Sequence, residues 1–211
     1  KRLEKRGVEV RLGAKLIKLT NTGKAVQAEI EVAPGKVVKE TYDVALVTIG
    51  RKPNSENLGL DKVGVKLDAK GFVVVDARRQ TGVAGIYAIG DIAGQPLLAH
   101  KGSKEGIVAA EAIAGKKTVY DVKAMPAVIF TDPEIATVGM TEAEAKAAGY
   151  MPKIGQFPFG ANGRALSVGE PDGFVKMIGD AKTGRLLGVH IVGVEASNLI
   201  AEAALAIEMG A

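Results

Sequence analysis

Hydrophobic and polar residues alternate most cleanly near the start of the chain, where Val26, Ala28, Ile30 and Val32 are interleaved with Gln27, Glu29 and Glu31. A period of two puts the apolar set on one face, so the pattern predicts a half-exposed strand. Ala33-Pro34-Gly35 supplies turn chemistry, and residues 36–41 are expected to return as the partner strand of a hairpin. Residues 44–49 break the alternation. They are nearly all apolar and stop at Gly50, as a strand buried on both faces of a parallel sheet does. Residues 53–68 read as a loop, and 72–75 and 85–89 as short apolar strands. After Gly90-Asp91 and a loop containing Gly and Pro, residues 102–114 have the alanine-rich, amphipathic look of a helix ended by Gly115.

A polar stretch at 116–121 marks a plausible domain boundary, and the pattern changes beyond it. Residues 127–130 and 135–138 read as strands, and 141–148 as a short helix opened by the capping box of Thr141 with Glu144. Strands near Gln156, at 174–178 and at 186–192 follow, and an apolar-striped helix over 196–209 ends at Gly210. Consecutive strands with helices to one side predict an antiparallel α+β domain after an α/β portion. Leu199, Ala203 and Ile207 recur at helical spacing; their stripe serves either a two-fold contact or the helix's own sheet. Residues 1–6 resemble the last turns of a helix, with Gly7 as a left-handed cap, so the chain is expected to be a piece of a longer polypeptide.

Composition narrows the chemistry. The 211 residues include 27 glycines, few aromatics and no cysteine, which excludes disulfides, thiolate metal sites and thiol nucleophiles within these residues. No run of about 18 apolar residues exists, so no membrane-spanning helix is expected. The formal net charge of +4 is dispersed along the sequence, which gives no support to nucleic-acid binding.

Asp91 is the strongest single candidate for chemistry. A carboxylate just past the end of a buried strand points into the crevice where α/β folds bind ligands, and the preceding glycine lets a ligand approach the backbone. The competing reading is a turn or capping aspartate. The following helix offers free N–H groups and a positive dipole end near Ala99 and His100. His100 and Glu105 have a His-x-x-x-x-Glu spacing, but five helical steps place their side chains about 140° apart around the axis, so they are not expected to form an acid/base pair. His190, inside GVHIVG, reads as a satisfied core histidine, and neither histidine has neighbours at metal-ligand spacing. There is no Gly-x-Gly-x-x-Gly, P-loop or nucleophile elbow.

Three strings, TIGRKPN at 48–54, TGVAGIYAIGD at 81–91 and LLAHKGSKEG at 97–106, together resemble the two-dinucleotide-binding-domain flavoprotein disulfide reductases in content, order and spacing. FTDPEIATVG at 130–139 is similar to the opening of that family's interface domain. The resemblance covers essentially the whole chain. It implies partial Rossmann-like portions followed by an antiparallel interface domain: residues 1–53 from the NAD-binding domain, 54–121 from the FAD-binding domain and 122–211 for dimerisation. It also implies FAD and NAD as cofactors. Asp91 would bond the flavin ribitol, and Leu97, Leu98, Ala99 and His100 would run along the isoalloxazine, with the helix dipole favouring the reduced ring. Gly50 and, more weakly, Leu16 would lie against NAD.

FPFGANGRA at 157–165 and GVHIVG at 188–193 favour the members that oxidise dihydrolipoamide, carried by lipoyl domains of a 2-oxo acid dehydrogenase complex, over glutathione, mercuric and related reductases. A homodimer in the cytoplasm or the mitochondrial matrix is implied. On the same resemblance the redox-active Cys-x-x-x-x-Cys pair and both glycine-rich phosphate loops would precede Lys1, and the catalytic His-x-x-x-x-Glu would follow Ala211. No catalytic residue is therefore expected in this chain, which should be inactive alone. A non-catalytic dimerisation module is the alternative of a different class.

Overall fold

A computed structural model describes residues 2–211. The chain forms two compact units, Lys1–Arg51 and Lys52–Ala211. The first opens with helix α1 (Arg2–Lys5); Lys1, expected in the same turn, lies outside the described residues. Gly7 follows in the left-handed region at φ 82°. Its N–H donates to Glu4 O and that of Val8 to Leu3 O, the paired bonds that satisfy a helix's last carbonyls.

Three antiparallel strands make up most of this unit: β1 (Lys15–Asn21), β2 (Val26–Ala33) and β3 (Lys36–Tyr42), in the order β1-β2-β3. The predicted hairpin is present, with Ala33 opposite Lys36 across Pro34-Gly35. Ala28 is the buried residue of the alternating face. The buried parallel strand expected over 44–49 does not form. No ladder includes these residues, and Leu46 and Ile49 are 87% and 94% exposed. An apolar run is buried only where neighbouring strands and a covering layer flank it, and among the described residues β1–β3 pair only with one another.

In the second unit, residues 52–89 fold as tight turns instead of the two short strands expected. Isolated bridges join Leu67 to Val73, Val75 to Thr81 and Gln80 to Tyr87. Aspartate carboxylates replace a continuous ladder: Asp68 Oδ1 accepts from the N–H groups of Lys70 and Phe72, and Asp76 Oδ1 from those of Arg78 and Gln80. Side-chain acceptors of this kind stabilise turns in competition with strand pairing. A 3-10 turn (Gly90–Ala93) leads to helix α2 (Ala99–Ile113), which starts before the expected Gly102 because Leu98 is still extended while its carbonyl already accepts from Gly102 N–H at 3.2 Å.

The rest is an antiparallel sheet with helices. Strands β4 (Ala127–Ile129), β5 (Glu134–Gly139), β6 (Pro152–Pro158), β7 (Phe174–Asp180) and β8 (Leu186–Gly193) take the order β4-β5-β8-β7-β6. Helix α3 (Glu142–Ala147) carries both bonds of the predicted capping box. A short helix, α4 (Gly163–Ser167), was not expected; Asn162 caps it by accepting from Ala165 N–H. Helix α5 (Ala196–Met209) lies on β5 and β8, where Ala196, Ile200 and Ile207 join Ala136, Val138, Val189 and Ile191 in one core. Of the proposed stripe, Ile207 and Ala203 pack into this core, while Leu199 stays 46% exposed.

Candidate functional site

The Gly90–Ala93 turn and the N-terminus of α2 meet at two glycines. Gly90 has φ 73°, and a Cβ on Gly102 would lie only 3.2 Å from Gly90 Cα. A side chain on Gly102 would crowd the Gly90 backbone, while Gly90 itself owes its glycine to the left-handed backbone angle. Val73 N–H donates to Ile92 O at 2.8 Å, tying the turn to the buried Phe72-Val73 pair beneath it.

Asp91, Leu97 and Leu98 are half-buried, and Ala99 and His100 are exposed. The chain thus brings all five predicted flavin-contacting residues to the turn and the start of α2. Leu98 provides no side-chain cap, and the first N–H groups of an α-helix have no intrahelical acceptor. An electron-rich carbonyl edge or an anion suits that position. His100 Nε2 lies 2.8 Å from Pro126 O, on a different side from Glu105, so the two do not form an acid/base pair. His190 Nε2 is likewise 3.1 Å from Met140 O, as a structurally satisfied histidine should be.

Under the turn is a charge cluster that periodicity did not reveal. Glu105 is fully buried and Lys101 is 3% exposed. Glu105 Oε2 accepts from Gly90 N–H at 2.7 Å, and Oε1 from Arg79 Nη1 at 2.9 Å. Lys101 Nζ donates to Gly90 O, Gly94 O and Glu105 Oε2 at 3.2, 2.9 and 3.2 Å. Arg79, at a positive φ of 64°, also stacks on Tyr120, its Cζ 4.6 Å from the ring centroid. The usable sequence signal was an i, i+4 Lys-Glu pair on the face of α2 that carries Val108, Ala109 and Ala112 inward.

In the first unit, Leu16 stands half exposed on β1 opposite Ile30. Gly50 is exposed at φ 112°, a backbone conformation that suits glycine. No described contact joins Leu16 to Gly50. Arg11 bonds Glu9 and Glu40 nearby, at 2.6 and 2.8 Å; its bond holds the Glu9 carboxyl below the usual range, and the Tyr42 hydroxyl first, then Arg11, do the same for Glu40.

Comparison with known proteins identifies the family. The family described as pyridine nucleotide-disulphide oxidoreductase matches residues 1–106, and its dimerisation domain matches residues 125–211. Among curated relatives, dihydrolipoyl dehydrogenase from Thermus scotoductus is 51% identical over the whole chain, and that from Cupriavidus necator 49%. The chain spans 46% and 44% of their respective lengths. Among solved structures, LpdA from Mycobacterium tuberculosis superimposes with a TM-score of 0.88 at 30% identity, over 99% of this chain and 45% of that one. The HOCl-induced flavoprotein disulfide reductase RclA from Escherichia coli does so with 0.89 at 27%, over 99% and 47%. With family matches over both its parts and relatives near half identity along its whole length, the chain belongs to the pyridine nucleotide-disulphide oxidoreductases.

Proposed function

We propose that these residues form part of the cofactor scaffold of a dihydrolipoyl dehydrogenase, with residues 54–121 contributing to an FAD site, 1–53 to an NAD site and 122–211 to a homodimer contact. The carrying observation is the Gly90-Asp91 turn locked against the uncapped start of α2. It groups a carboxylate, which can accept from the ribitol hydroxyls, with N–H donors that can face the ring. FAD, when bound, would relay electrons between a dithiol–disulfide couple and NAD. The chain's own part is to bind and orient: Asp91 as acceptor, the N–H groups of Ala99 and His100 as donors, and Leu97 and Leu98 as apolar flank. Gly50 and Leu16 are the residues assigned to NAD, and lipoyl domains of a 2-oxo acid dehydrogenase complex are the assigned source of substrate. The setting assigned to it is the cytoplasm or the mitochondrial matrix.

Because the 211 residues contain no cysteine, disulfide exchange needs thiols from outside them. The chain alone is therefore expected to form no NADH from dihydrolipoamide, whereas the full-length polypeptide should. In that polypeptide Asp91→Ala should weaken FAD binding roughly ten- to hundredfold, the equivalent of losing a charged hydrogen bond of about 1.5–3 kcal/mol. Unchanged FAD retention on dialysis removes Asp91 from the site. Turnover of glutathione disulfide in preference to lipoamide would reassign the substrate.

A further inference from the structure

Helix α2 buries an ion pair where an amphipathic helix ordinarily buries apolar residues. The Lys101 and Glu105 side chains are 4% and 0% exposed and 3.1 Å apart. Desolvating both charges is costly, and apolar residues of similar volume usually serve packing as well or better. What apolar residues cannot do is hold one residue by both of its main-chain polar groups. Here Glu105 Oε2 accepts from Gly90 N–H, while Lys101 Nζ donates to Gly90 O and, four residues on, to Gly94 O. Both carbonyl-to-ammonium bonds and the carboxylate bond come from one helix, so the turn is keyed to α2 in direction as well as distance. Gly102, next to Lys101, meets Gly90 backbone to backbone. Arg79 closes the cluster on the far oxygen of Glu105. Asp91 is the residue immediately after the glycine so held.

We propose that Lys101 and Glu105 are positioning residues of the flavin site: they fix Gly90, and through it the Asp91 carboxylate, in register with the N-terminus of α2. This rests on the assignment of Asp91 to FAD. The side chains act through the turn and need not touch the cofactor. Lys101→Met suits the test, because it removes the bonds to Gly90 O and Gly94 O while leaving Arg79 and Glu105 as a neutral pair.

The experiment is a double-mutant cycle in the full-length polypeptide, reading the FAD dissociation constant by flavin fluorescence and the visible absorption band of bound flavin. Lys116→Met, in the exposed pair that Lys116 forms with Glu111 at the C-terminal end of α2, is the control. Lys101→Met is expected to weaken FAD binding at least tenfold and to shift the band. Adding it to Asp91→Ala should weaken binding by less than about threefold more, since residues acting in one network are non-additive. The control should change neither readout. If Asp91→Ala loses FAD but Lys101→Met retains it, or if the two losses simply multiply, positioning is refuted while the flavin assignment stands. If Asp91→Ala itself retains FAD, the flavin assignment fails and the proposal with it. Should Lys101→Met not accumulate as folded protein, Glu105→Gln, which keeps an amide oxygen for Gly90 N–H, replaces it in the same cycle with the same criteria.

Discussion

Gly193 closes β8 at φ 154°, where a Cβ would lie 2.3 Å from Cε2 of the Phe159 ring. Neither the backbone angle nor the ring leaves room for it, so Gly193→Ala is expected to destabilise the second unit by about 1–3 kcal/mol. Urea unfolding checks this, and a midpoint unchanged from the parent would contradict the packing described. Asp180 is a second decisive residue. Only 4% exposed, it accepts from the Thr183 hydroxyl and from the N–H groups of Met151, Lys182 and Thr183. The Thr183 bond foremost, then the main-chain bonds, hold its carboxyl below the usual aspartate range despite the opposing effect of burial. A depressed folded value means the stabilisation is complete above the unfolded pKa of about 3.9 and disappears as pH falls through the lower folded value. Thermal melts between neutral and acid pH should therefore fall more steeply for the parent than for Asp180→Asn; parallel curves would count against it. Neither residue announced its role in the sequence, because each depends on atoms brought from another strand or turn.

Elements with local causes were the most legible. The Thr141–Glu144 capping box is present with both of its bonds, and Thr141→Ala should cost about 0.5–2 kcal/mol, measurable by chemical denaturation. Helix α5 was readable from its apolar period, but which of its residues face inward was not. Ile200 is 2% exposed against β5 and β8, so Ile200→Ala is expected to cost about 2–5 kcal/mol. Leu199→Ala, one position away and 46% exposed, should cost much less. Equal losses for the two would overturn the assigned orientation. Residues 44–49 show the converse. Their composition announced a buried strand, yet burial is a property of neighbours, and none pairs with them among the described residues.

At the scale of the molecule, the match of residues 125–211 to a dimerisation domain directs attention to apolar side chains that its own core does not cover. Phe130 is 79% exposed, and Leu205 and Met209 are 63% and 77%. The proposed two-fold contact would be isologous and should bury on the order of 2,000 Å² in total for an obligate dimer. Light scattering of the full-length polypeptide at micromolar concentration is expected to give a dimer mass. A strictly monomeric mass there would defeat the assignment.

Sequence alone determined what depends on neighbours a few positions away: the β2–β3 hairpin through its period and Pro34-Gly35 turn, the capping box of α3 and the Gly210 C-cap of α5, and the motif strings that tied the chain to its family. Those features follow from main-chain torsions and i to i+4 contacts, which are written locally. Tertiary structure alone decided that Gly90 and Gly102 touch, that Arg79 reaches Glu105 across 26 positions of chain, and that α2 hides a charged pair instead of apolar residues. Ion pairs of this kind become tolerable only when fixed donors and acceptors replace the lost water. Those partners are Gly90, Gly94 and Arg79, brought to the pair by the fold; the i, i+4 spacing of Lys101 and Glu105 shows the pair along the chain, but not the groups that satisfy it.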